Sequence, residues 1–167
     1  MTERPALSDD ELSVWRSFYA MRRTLDRALD LQLQRDSNLS SSEYEVLLAI
    51  NVAPERRLRI SEIAATIGWE KSRVSHLVTR MEKRGLVDRT RCDSDLRSTW
   101  IGLTADGRRA VLGGLRGHSA AIRRYFFDVL EGDEGEQLSA LSSRVIGAIG
   151  CGADEDVTAN PAAKALQ

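Results

Sequence analysis

The spacing of apolar residues changes between Ile60 and Leu103, and this change limits the fold more than any other feature of the chain. Ile60, Ile63, Ala64 and Ile67 recur at helical spacing, and Gly68 then offers the left-handed conformation that closes a helix. Val74, Leu77, Val78 and Met81 form a second stripe over residues 71–84, closed by Gly85 in the same way. Two short helices joined by a tight glycine-containing turn make a helix-turn-helix candidate. Beyond Gly85 the period falls to two: residues 86–91, a polar turn Asp93-Ser94-Asp95-Leu96, and residues 99–103, in which Thr99, Ile101 and Leu103 share a face. That pattern predicts a β-hairpin.

The flanks read as helices. Val14, Phe18, Met21, Leu25, Leu29 and Leu33 recur every three or four residues, the stripe of one long amphipathic helix over 9–35. Ser40 and Glu43 have the spacing of a capping box, with Leu39 and Tyr44 placed as a hydrophobic staple, so a second helix starts near Ser41 and stops before Pro54. A short Leu58-Arg59-Ile60 link leads into the helix-turn-helix. Thr104 and Asp106 can start a further helix with Val111, Leu115, Ile122, Phe126 and Val129 on its inner stripe, and Leu138, Leu141, Val145 and Ile149 mark the last. Gly113, Gly114 and Gly117 weaken the former by about 1 kcal/mol each relative to Ala, which leaves a bend or a close helix contact as alternatives. Residues 1–8 read as a flexible start and residues 151–167, rich in Ala, Asp and Gly without a stripe, as a disordered tail.

Composition narrows the chemistry. The 24 Lys and Arg against 25 Asp and Glu leave a net charge of −1, so nucleic-acid binding would need a local patch. Such a patch exists: residues 71–91 carry Lys71, Arg73, Arg80, Lys83, Arg84, Arg89 and Arg91 against only Glu82 and Asp88. On charge alone, a phosphate-reading surface and an ordinary solvated helix face are equal readings. The two cysteines, Cys92 and Cys151, suggest no disulfide framework, and no apolar run approaches the roughly 18 residues of a membrane span. A soluble, cytoplasmic protein is the expectation, with no membrane partner.

Geometry tips the balance toward DNA. With the Val74/Leu77/Val78/Met81 stripe turned inward, Ser72, His76, Thr79 and Lys83 fall on the opposite line, flanked by Arg73 and Arg80. The start of the second helix of a helix-turn-helix meets base edges, so Ser72, Arg73, Ser75 and His76 are candidates for sequence readout, Arg73 through a bidentate fork to guanine. Thr79, Arg80 and Lys83 suit phosphates or later bases. Arg97, at the end of the hairpin turn, could enter a minor groove, although a single wing arginine read alone is more often simply solvated.

Ile60-Ser61-Glu62-Ile63-Ala64, Ser72-Arg73-Val74-Ser75, the run from Met81 to Arg89, Asp95-Leu96-Arg97, and Leu103-Thr104-Ala105-Asp106-Gly107 together resemble the MarR family of winged-helix transcriptional regulators. The similarity extends over roughly residues 9–150. It implies a mainly α fold with a small β-hairpin wing: a winged helix-turn-helix core over about 40–104, flanked by dimerisation helices over 9–35 and 105–150. It also implies a homodimer on a pseudo-palindromic double-stranded DNA operator, usually as a repressor, with Arg97 in the minor groove and Asp95, with Arg89, bracing the wing. Members of the family often bind a small phenolic or aromatic effector in a cleft between the dimerisation helices and the reading head. Trp15, Phe18 and Tyr19 could line such a cleft here, although aromatics on an inner stripe are more often core. Gly68-Trp69-Glu70-Lys71 departs from the pattern, since Glu70 is a poor cap and Lys71 opposes the positive end of the helix dipole.

Other chemistries compete weakly. Arg91 beside Cys92 could lower the thiol pKa, giving a redox-sensing regulator, but peroxide sensors of this family usually carry their cysteine near the start of the first helix, and none is there. A winged helix that binds protein instead of DNA would need an apolar outward line, which Ser72, His76, Thr79 and Lys83 do not supply. His76 and His118 lie in separate elements without a zinc spacing, and no phosphate loop or nucleophile elbow is present. The expectation is a non-enzyme with no cofactor and no metal.

Overall fold

A computed structural model describes residues 6–92 and 95–150, with the backbone only for 92 and 95–98. Six helices and three strands follow in the order α1 (Asp9–Ser37), α2 (Ser41–Val52), β1 (Arg57–Arg59), α3 (Ile60–Ile67), α4 (Lys71–Lys83), β2 (Val87–Cys92), β3 (Asp95–Leu103), α5 (Ala105–Tyr125) and α6 (Glu134–Gly150), with a 3-10 turn at Phe127–Val129. The expected tail lies outside the described residues, and Ser8, the last residue of the expected flexible start, caps α1 by accepting from the Glu11 N–H.

The core lies in the middle of the chain. Helix α2 runs through it, with Val46, Leu47 and Ile50 fully enclosed by Ile63 of α3, by Val74, Leu77, Val78 and Met81 of α4, and by Val87 and Ile101 of the sheet. Leu33 of α1 and Val111 of α5 extend it toward the flanking helices. The Ser40–Glu43 capping box forms, and Leu39 and Tyr44 on either side are both buried. Glu43 also accepts a 2.6 Å bond from Arg84 Nη1, while Arg84 Nη2 donates to the Asn38 carbonyl at 2.6 Å, so the end of α4 is tied to the α1–α2 junction. Burial alone would raise the Glu43 carboxyl. Donation by the Ser40 N–H, by Arg84 and by the Ser40 hydroxyl outweighs it and holds the group below the usual carboxylate range.

The sheet is antiparallel in the order β1-β3-β2, with Leu58, Ile101 and Arg89 in one row. Two expectations need correction. The strands run further into the wing than hydrophobic alternation showed: Cys92 pairs with Asp95, after a register irregularity at Arg91/Cys92, and Asp95 and Leu96 of the expected turn belong to β3. The Leu58-Arg59-Ile60 link supplies a third strand, β1, too short at 3 residues to show a period.

A Schellman motif closes α4. Gly85, at φ 71°, donates to the Glu82 carbonyl and Leu86 to that of Met81. Helix α5 starts on this turn: the Thr104 hydroxyl donates to the Gly85 carbonyl at 2.6 Å and accepts from the Gly107 N–H at 3.0 Å. At Gly114 and Gly117 the glycine alternatives resolve as close contact. A Cβ on Gly114 would stand 3.3 Å from Leu33 Cδ2, and one on Gly117 would overlap the Asp36 carboxylate and reach 2.7 Å from Gln32 Nε2, so α5 rests directly on the end of α1. Beside this contact His118 lies 3.2 Å from Gln32 Oε1 and 4.9 Å, ring to ring, from Tyr44. Burial lowers the His118 pKa and pushes that of Tyr44 up to about 12.

Helix α5 also ends earlier than its stripe suggested. Phe126 leaves helical geometry at φ −126° and ψ −61°, and Val129 is 65% exposed, so neither Phe126 nor Val129 continues an inner helical face. Aromatic and β-branched residues in this run hold helix weakly, while an apolar spacing alone does not register where helix stops. Of the stripe on α1 only Leu33 is buried; Val14, Phe18 and Met21 are exposed.

Gly107 and Gly113 give opposite expectations. A methyl group at position 107 meets the Leu86 carbonyl, whereas one at position 113 meets nothing. Gly107→Ala should cost roughly 1–3 kcal/mol in denaturant titration and Gly113→Ala should gain up to about 1 kcal/mol; equal effects would contradict this seating of α5. Because the folded pKa of Glu43 lies below its unfolded value, its contribution is present at neutral pH and disappears as pH falls through the folded pKa. Glu43→Gln should therefore cost about 1–3 kcal/mol near pH 7, and the gap to the unaltered protein should close on acidification below pH 4.5. Parallel stability curves from pH 7 to pH 3 would exclude this.

Candidate nucleic-acid interface

Gly68, at φ 67°, ends α3 and lets the chain turn into α4 within two residues, with the Trp69 N–H donating to the Ala64 carbonyl at 2.9 Å. Glu70 occupies the N-cap without a side-chain cap bond, as its residue type suggests. The inward stripe of α4 is enclosed, none of its four side chains being more than 3% exposed. Ser72, His76, Thr79 and Lys83 are exposed along the opposite line, Arg73 and Arg80 are exposed beside it, and Ser75 is half-buried. The helix-turn-helix therefore presents hydroxyl, imidazole and cationic groups on a surface without large apolar side chains.

Several of these groups already have partners. Arg84 is turned inward to Glu43 and Asn38, so it leaves the outward cationic set. Arg89 donates to Glu82 Oε2 at 2.9 Å and to Thr79 Oγ1 at 3.1 Å, tying β2 to the C-terminal turns of α4. The Thr79 hydroxyl in turn donates to the Ser75 carbonyl at 2.9 Å. The guanidinium carbon of Arg73 lies 3.5 Å from the centre of the Trp69 ring. Its charge also faces Glu45, whose carboxyl is raised by burial and by Asp26 and lowered by Arg73. Lys71, Arg80, Lys83 and Arg91 remain exposed cations of this region.

Arg97 and Asp95 stand on β3 near the tip of the wing, and their side chains lie outside the described residues, as does the Cys92 thiol; Cys151 lies outside them entirely. Arg89 braces β2 against α4 through Glu82, a partner the spacing of charges did not single out. The Trp69–Arg73 stack was equally missed, although a separation of four residues was its available signal. No cluster of His, Cys, Asp and Glu suited to a metal occurs among the described residues, and none of their helices is long and apolar enough to cross a membrane.

The three aromatic residues of α1 do not share one pocket. Trp15 and Phe18 line an apolar groove of about 820 Å³ between α1 and α6, with Val14, Leu141, Val145 and Ile146. Tyr19 points along another flank, with the guanidinium carbons of Arg22 and Arg23 at 5.4 and 5.9 Å from its ring centre. Helix α6 buries none of its residues, and Val145 and Ile149 are 50% and 65% exposed.

A helix-turn-helix with a short strand before it and a two-stranded hairpin after it, the three strands joined in one sheet, is a winged helix, here held between long flanking helices. Residues 37–98 match the sequence profile of the MarR family. AbsC, a MarR family transcriptional regulator from Streptomyces coelicolor, is 31% identical, with 87% of this chain and 98% of that one covered at a TM-score of 0.79. A second MarR family transcriptional regulator from Streptomyces coelicolor, crystallised in complex with DNA, is 35% identical, with 86% and 94% covered at a TM-score of 0.77. The chain belongs to the MarR family of transcriptional regulators. It is also 35% identical over 74 residues to the HTH-type transcriptional regulator SarZ of Staphylococcus saprophyticus, a match over 44% of this chain that spans about half, 49%, of that relative.

The Arg89 bracket is open to test. Arg89→Ala should cost roughly 0.5–1.5 kcal/mol and raise amide hydrogen exchange along 87–91 before it affects α2. Unchanged exchange in β2 would show that the bracket holds nothing.

Proposed function

We propose that the chain is a homodimeric, sequence-specific binder of double-stranded DNA, acting as a cytoplasmic transcriptional repressor with no chemistry of its own. The observation that carries the reading is the two-sided character of α4: a fully buried apolar line and, opposite it, exposed Ser72, His76, Thr79 and Lys83 with Arg73 and Arg80 alongside. A helix of this kind fits the major groove, with its first turn toward base edges and its later cations toward phosphates. That a 35% identical relative was crystallised with DNA supports the same reading. Arg97 would enter the minor groove from the wing.

The dimer is supported by the apolar side chains that α1 and α6 leave exposed: Val14, Trp15, Leu141, Val145 and Ile149 form more apolar surface than a lone chain usually shows to water. A second copy interlocking its own first and last helices would cover them and set two reading heads on two half-sites. Release by a small aromatic or phenolic effector belongs to the same reading, with Trp15 and Phe18 as its aromatic contacts within that face and Tyr19 on the adjoining flank.

Selection from random duplexes, with and without aromatic acids, tests these elements together. The expected product is a pair of half-sites about 10 base pairs apart, bound with an affinity that falls steeply with salt. Arg73→Ala should cost about 1–3 kcal/mol at particular base pairs, while Arg97→Ala should weaken binding with little change of preference. No enriched duplex, or binding indifferent to salt, would refute the function.

A further inference from the structure

The Trp69–Arg73 stack lies where the chain turns from α3 into α4. Trp69 immediately precedes the N-cap Glu70, and its side chain is half-buried against the edge of the core, so the indole is a fixed surface. Arg73 lies one turn later on the exposed side. A guanidinium carbon 3.5 Å from the ring centre is reachable only with the two planes face to face, because an edge-on approach would force a nitrogen into the ring. Stacking occupies the face of the guanidinium and leaves its N–H groups, which lie in the plane, directed outward. An open depression of about 460 Å³, bounded by Ala64, Ala65, Gly68 and Glu70 together with Trp69 and Arg73 themselves, leaves the stacked pair accessible on that side.

We propose that Trp69 is the positioning residue for Arg73 in duplex recognition: the indole holds the guanidinium flat against the α3–α4 turn, so that its fork meets a base pair in one set orientation. The proposal rests on the DNA-binding reading above. A free arginine loses several rotamers when it docks, whereas a stacked one has already lost them, and the difference appears as affinity and as discrimination at a single base-pair position.

The test compares Trp69→Leu, which keeps an apolar side chain at the core edge but has no π face, with Trp69→Phe, which keeps both. Binding to the selected duplex, and to duplexes changed one base pair at a time, is measured for each variant, for Arg73→Ala and for the Trp69→Leu/Arg73→Ala double variant. Trp69→Leu is expected to weaken binding about 3- to 30-fold and to lose preference at the same base pairs as Arg73→Ala. Trp69→Phe should restore that preference, and the double variant should be no worse than Arg73→Ala alone. Ring-current shifts of the Arg73 side-chain protons, present in the unaltered protein and absent in Trp69→Leu, report the stack without DNA. The proposal is overturned if Trp69→Leu keeps the original preference, if Leu and Phe weaken binding equally at every base pair, or if Arg73→Ala changes no preference. If the unaltered protein selects no duplex at all, the DNA-binding reading falls and takes this proposal with it; if Arg73→Ala changes no preference, the readout role of Arg73 falls as well; in the other cases only the role of Trp69 falls.

Discussion

The enclosure of Val74, Leu77, Val78 and Met81 is the constraint from which the rest of the molecule follows. With four side chains locked against α2, α3 and the sheet, α4 cannot rotate about its axis, and the direction of every residue on its outward line is set. Each neighbouring element is then fastened to α4 at one place. The Schellman turn at Gly85 seats α5, Arg84 joins the end of the helix to Glu43 and Asn38, and Arg89 holds β2 to its last turns. A reading surface needs such rigidity, because a side chain that must find its contact anew on each encounter loses much of its discrimination to ordering entropy.

This fastening divides the cations by task. In sequence, residues 71–91 appear as one basic run. In three dimensions Arg84 and Arg89 face carboxylates of the protein itself, and Arg73 lies on an indole, which leaves Lys71, Arg80, Lys83 and Arg91 as the unencumbered exposed charges of that run. Charge density along a chain thus overstates the field that α4 projects outward, since an ion pair with a half-buried partner cancels much of its own potential at a distance.

The parts legible in the sequence were those governed by local rules. The Ser40–Glu43 box, Gly68 and Gly85 act within a few residues and stood where their types and spacing put them, and helical stripes placed the buried face of α4. The parts that were not legible depend on partners distant in the chain or on the absence of a core. Strand β1 is defined by pairing with β3, the wing strands continue where alternation gives no signal, and Glu82 becomes a brace only because β2 folds back beside it. The end of α5 at Tyr125 was missed for a related reason: an apolar spacing can persist across a break in helix. For the candidate site, the exposed line was readable from helical geometry, while the use made of Arg73, Thr79 and Arg89 within the protein required the coordinates.

Helix α1 is 29 residues long, about 43 Å at the usual helical rise. Its last turns are gripped by α2 and α5: Leu33 is buried, Asp30 accepts from Ser41, and α5 rests on Gln32 and Asp36 through Gly117. The apolar residues of its first half, Val14, Trp15 and Phe18, stay exposed along the groove shared with α6. A rod held at one end works as a lever arm, and a tilt of about ten degrees at the grip displaces the far end by roughly 5 Å. Were that far end secured at another angle with the grip unchanged, α4 would be re-aimed as a whole, with no change in any side chain that faces outward from it.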